Sequence, residues 1–180
     1  MEQSAEKKEQ GVLKPAMNHG FLIGGAVVLF SLILYLLNQY FSTWGSWVSF
    51  VIIVGGLIYA QINYRNEYLG GYISYSQGLG YSIMVGLFTG LLTGVFSYLL
   101  YGFISPDLIE QERQIAEMNV YRMFENMSYD QQMSIIEMQT RFITPFYKLI
   151  FEILGKTFNG LIIGLLASIF IKKRDPDAFL

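Results

Sequence analysis

Four long apolar blocks run along the chain, separated by two short polar breaks and one long polar insertion. The first spans about Ala16 to Phe41, the second about Trp47 to Tyr64, the third about Gly78 to Ile104 and the fourth about Phe151 to Ile171. A helix rising 1.5 Å per residue needs about 20 residues to cross roughly 30 Å of hydrocarbon, so each block is long enough to span a bilayer. The first three blocks contain no Asp, Glu, Lys or Arg. Apolar residues follow one another without period-two alternation, which favours helices over membrane strands. The pattern predicts an all-α integral membrane protein with four transmembrane helices and an extramembrane helical hairpin between spans three and four.

That hairpin comes from residues 105–145, where polar residues return. Ser105 is expected as an N-cap, Pro106 at the first helical position and Asp107 at the positive helix end. Ile109, Ala116, Val120, Met123 and Met127 recur at helical steps and predict one apolar face. Ser128 with Gln131 predicts a capping box. A second run follows with Ile135, Met138, Phe142 and Phe146, and Thr144-Pro145 opens the last helix. The acids Asp107, Glu110, Glu112, Glu117, Glu125, Asp130 and Glu137 are expected to form a solvated face. The Met and Phe stripe has three candidate partners: the other hairpin helix, a lipid surface, or a protein.

Composition agrees with the pattern. The chain of 180 residues is 53% hydrophobic and only 14% charged, against about 25% charged in soluble domains. Its net charge of −2 offers no basic face for nucleic acid, and the absence of cysteine excludes disulfides and thiol chemistry. Positive residues set a direction. Lys7, Lys8 and Lys14 precede the first span, Arg65 follows the second, and Lys172, Lys173 and Arg174 follow the fourth. The positive-inside rule then puts both termini in the cytoplasm of a multi-pass protein. The divisions are a tail at 1–15, spans one to three at 16–104, the outer arm at 105–145, and the fourth span with its basic tail at 146–180.

The third block has Ser82, Gly86, Gly90 and Gly94 at strict four-residue spacing, and the fourth repeats the device with Gly160, Gly164 and Ser168. In lipid, apolar side chains gain little by meeting one another, so association relies on close backbone approach. These residues predict helix packing, either inside one bundle or against a partner or second copy. Glu152, Lys156 and Asn159 form a candidate polar intramembrane site on the fourth span, with Glu152 and Lys156 correctly ordered for an intrahelical pair. His19, Asn38, Gln39, Gln61 and Asn63 are expected at the interfaces. Gly78-Leu79-Gly80 is a lone GxG without a dinucleotide-binding context. No residues are assigned to catalysis, a cofactor or a metal.

Several motifs carry a resemblance. The stretch GGYISYSQ at 70–77, the glycine-stepped third span before Ser105-Pro106-Asp107, MSYDQ at 127–131, Thr144-Pro145 and KKRDP at 172–176 are together similar to the bacterial four-span membrane family catalogued as domain of unknown function 4199. The resemblance implies the inner membrane of a Gram-negative bacterium. It also implies a polyprenyl-phosphate glycosyltransferase as the partner, with this chain as scaffold or accessory subunit and not an enzyme. The partners expected are the lipid bilayer and a membrane protein or second copy. The alternative function is a small transporter or lipid-handling protein.

Overall fold

The structure is a computed structural model that describes residues 11–173; the expectations for Lys7, Lys8 and Arg174 lie outside the described residues. Among the described residues six α-helices follow one another: α1 (Leu13–Leu36), α2 (Thr43–Glu67), α3 (Tyr75–Leu99), α4 (Asp107–Met123), α5 (Tyr129–Thr140) and α6 (Pro145–Ile171). A π-helical turn, Leu100–Ile104, extends α3. Among the described residues there is no strand, only an isolated antiparallel bridge between Ile73 and Lys173. Helices α1, α2, α3 with its π turn, and α6 are each long and apolar enough to cross a bilayer. The fold is all-helical, and the chain is a multi-pass membrane protein.

The spans differ from expectation chiefly at their ends. The first was expected to run to Phe41 but stops at Leu36. The cause is local. Asn38 adopts φ +56°, its N–H donates to the Tyr35 carbonyl, and the Gln39 N–H donates to the Leu34 carbonyl. These two bonds make a Schellman motif with Asn38 in the left-handed position that a short polar side chain tolerates. Asn38 and Gln39 therefore terminate a helix. The expected loop at 42–46 is consequently displaced to 37–42, and α2 starts at Thr43.

Helix α3 begins with a capping box. The Gln77 N–H donates to Ser74 Oγ and the Ser74 N–H donates to Gln77 Oε1. Gly70 and Gly71, at φ +66° and +91°, make the turn before it. The chain divides into two compact units. The first, within residues 11–93 and 153–173, is a bundle of α1, α2, most of α3 and most of α6. Ala16, Ile23, Val27, Ile53, Leu57, Tyr81, Val85 and Ile163 form its buried core, while Leu22, Leu36, Val51 and Phe170 face outward.

The second unit, Gly94–Glu152, contains the end of α3, the π turn, the α4–α5 hairpin and the start of α6. The expected apolar face of the arm is largely not its core. Val120 is buried, but Met123, Met127, Met138, Phe142 and Phe146 are exposed. The buried positions are instead Leu108, Val120, Gln132, Ile136 and Ile143. Two short helices enclose only a narrow seam, and Gln132 joins it because its amide donates to the Phe124 carbonyl at 2.7 Å. Ser105 does not cap α4 with its side chain; its hydroxyl donates to the Asp107 carboxylate. The capping box of Ser128 and Gln131 does form at the start of α5.

Candidate functional site

Small side chains build the seams of the bundle. A Cβ on Gly86 would strike the backbone of Lys156, one on Gly160 the backbone of Ser82, and one on Gly164 the Ser82 side chain. Ser82, Gly86, Gly160 and Gly164 thus lie at the crossing of α3 with α6 within a single chain. Ser168 is buried nearby on α6, and Gly90 and Gly94 are buried further along α3. A second close crossing joins α1 to α3. Gly20 faces Phe88 and Val85, Gly24 faces Leu92, and the Thr89 hydroxyl is shared between the Val85 carbonyl of its own helix at 2.9 Å and the Gly20 carbonyl at 3.2 Å.

Where α1 starts, α2 ends, α3 starts and α6 ends, the bundle holds a polar centre. Gln61 is fully buried, which corrects its expected place at the interface. Its Nε2 donates to Ser168 Oγ at 2.6 Å, and its Oε1 is buried without a partner. Turning the amide over would exchange the two atoms and still leave one unpaired. The amide fits because position 78 is glycine: a Cβ there would overlap Gln61 Nε2 and come within 2.8 Å of Ser168 Oγ. The only sequence signal for this was the glycine itself, inside the GxG that matched no fingerprint.

One turn along, Tyr81 is buried and stacks on Tyr64 with ring centroids 3.9 Å apart and planes 5° from parallel. His19 Nδ1 lies 2.9 Å from the Pro15 carbonyl and 2.7 Å from the Tyr81 hydroxyl. With its proton on Nδ1 the ring donates to the Pro15 carbonyl and the Tyr81 oxygen, and with the proton on Nε2 it accepts from the Tyr81 hydroxyl, so the contact with Tyr81 holds in either tautomer. His19 is thus a helix-pairing residue joining α1 to α3. Two further ties close the same end of the bundle. Arg65 donates to the Ile171 carbonyl at 3.1 Å, and Ile73 and Lys173 exchange both backbone bonds.

The second unit has its own polar centre. The π turn ends with the Ser105 N–H donating to the Leu100 carbonyl, and it carries the buried Tyr101. The Tyr101 hydroxyl donates to Glu112 Oε2 at 2.9 Å. Lys148 pairs with Glu112 Oε1, and its ammonium lies 5.1 Å from the Tyr101 ring centre. One carboxylate on α4 is therefore held by the π turn and by α6. Sequence reading missed this latch because Glu112 and Lys148 stand far apart in the chain and each resembles an ordinary solvated charge. Glu152, Lys156 and Asn159, singled out beforehand, are half-buried along α6.

On α5, a groove of about 320 Å³ is lined by Ser134, Glu137, Met138, Arg141 and Phe142. These residues repeat at helical spacing on one face, and Met138 and Phe142 are exposed apolar side chains. Among the described residues no group of three or more His, Asp or Glu side chains is placed to hold a metal. The polar centres fix helices to one another, whereas the groove is open.

No curated protein and no solved structure matches the chain. The family model described as "Protein of unknown function (DUF4199)" matches residues 18–173. That match covers all four spans but for the first turn of α1, both polar centres and the whole arm, and the chain belongs to the DUF4199 family.

Proposed function

We propose that this protein is a non-enzymatic accessory subunit of the bacterial inner membrane that binds and positions a partner protein. The four-helix bundle is the anchor, both termini are cytoplasmic, and the arm at 105–145 meets the partner outside the membrane. The observation that carries this reading is the open face of the arm, where Met123 and Met138 stay exposed while Val120 and Ile136 fill the hairpin seam. Methionine-rich surfaces repack readily around a partner. The polar groups of the bundle support the same reading, since Gln61, Ser168, His19 and Tyr81 are engaged in joining helices. The partner class to test first is a polyprenyl-phosphate glycosyltransferase, the enzyme implied by the family resemblance.

The test is mild detergent extraction of tagged protein at native abundance, with identification and quantification of what travels with it. A membrane enzyme recovered in fixed ratio is the expected result, with recovery unchanged in Lys156→Ala. Recovery of the chain alone overturns the proposal. Loss of partner and cellular phenotype in Lys156→Ala alone would point instead to a transport site on α6.

A further inference from the structure

The charge of the chain is unevenly spread. Residues 105–145 hold the seven carboxylates named above and three arginines, Arg113, Arg122 and Arg141, for a formal charge of −4, while the whole chain sums to −2. The arm is therefore acidic on a protein that is otherwise net positive. Glu125, Asp130 and Glu137 are exposed, and Glu137 stands in the wall of the groove beside Met138 and Phe142.

That balance decides between occupants of the groove. A second copy would bring another arm of charge −4 against the first, and like charges brought face to face repel. Helices that lie on lipid carry Lys and Arg on their polar face to meet anionic headgroups, and this arm has the reverse. A basic protein segment meets both the acids and the apolar floor. We propose that the α5 groove docks a lysine- or arginine-bearing segment of a partner protein. An aliphatic or aromatic side chain of that segment enters between Met138 and Phe142, and its cations meet Glu137 in the groove and the exposed Asp130 and Glu125 where the segment runs on along the arm. Arg141 lines the same groove as Glu137 and sets one further requirement, an acceptor oxygen opposite it. The inference rests on the accessory-subunit reading and supplies the chemistry of its partner.

The experiment places a photo-crosslinking amino acid at Met138 in the full-length protein in living cells and sequences the crosslinked peptide. The expected product is a peptide of a different protein with lysines or arginines flanking an apolar residue. Its yield should fall at least tenfold in Glu125→Lys/Glu137→Lys and recover when the partner's cations are exchanged for acids. Glu125→Gln/Glu137→Gln, which removes the charge without reversing it, should give an intermediate yield with unchanged thermal unfolding. Crosslinks to lipid, to a second copy or to an acidic segment overturn the proposal, as does a yield indifferent to charge reversal. If a partner co-purifies but Met138 crosslinks to nothing, the docking site falls and the accessory reading stands. If no partner co-purifies, both fall.

Discussion

At the scale of single residues, the most constrained position is Gly78. Any side chain there meets Gln61 and Ser168 together, and overpacking of this kind costs about 1–3 kcal/mol. Gly78→Ala should lower the detergent unfolding temperature by several degrees. Gln61→Met should be close to neutral, within about 1 kcal/mol, because the lost hydrogen bond is offset by removing a carbonyl that has no partner. A Gln61→Met variant as damaging as Gly78→Ala would refute this account, and thermal unfolding of the two proteins decides it. The reason Gln61 was misplaced on the sequence is physical. A polar residue near the end of an apolar run is at home in the headgroup layer, and only the partner on α6, more than a hundred residues away, makes burial tolerable.

At the scale of elements, what the sequence made legible was whatever depends on neighbours in the chain. The four spans follow from continuous apolar runs, and the box of Ser128 and Gln131 follows from a three-residue offset. The Schellman end of α1 is legible in the same way, because Asn38 breaks the run three residues before Phe41, although a polar residue there also suits the headgroup layer. The latch of Tyr101, Glu112 and Lys148 was not legible: it depends on a π turn and on two helices far apart in sequence. Glu112→Ala removes the acceptor of both partners. Bonds to charged groups contribute about 1.5–3 kcal/mol, so amide exchange in α4 should rise roughly tenfold or more by hydrogen–deuterium exchange. Tyr101→Phe, which leaves Lys148 paired with Glu112, should raise it less. Unchanged exchange in Glu112→Ala would show that the latch does not hold the arm.

At the scale of the whole molecule, four crossings return the chain to the side on which it started, and the basic residues Lys14, Arg65, Lys172 and Lys173 gather at that side's helix ends. The chain has no cysteine, so single introduced thiols report without background. Glu125→Cys should react with a membrane-impermeant maleimide in intact cells, and Lys172→Cys only after the membrane is opened. The opposite pattern would invert the orientation and put the arm in the cytoplasm. The ties of Arg65 to the Ile171 carbonyl and of Ile73 to Lys173 bear on how load would travel through such a molecule. A pull along α6 would meet these ties at its last turn. Because the far tip of α6 is stitched down, that rod cannot slip lengthwise through the bundle. Leaning about Ile171 breaks fewer of these bonds than sliding does, so such a load would be taken up as tilt.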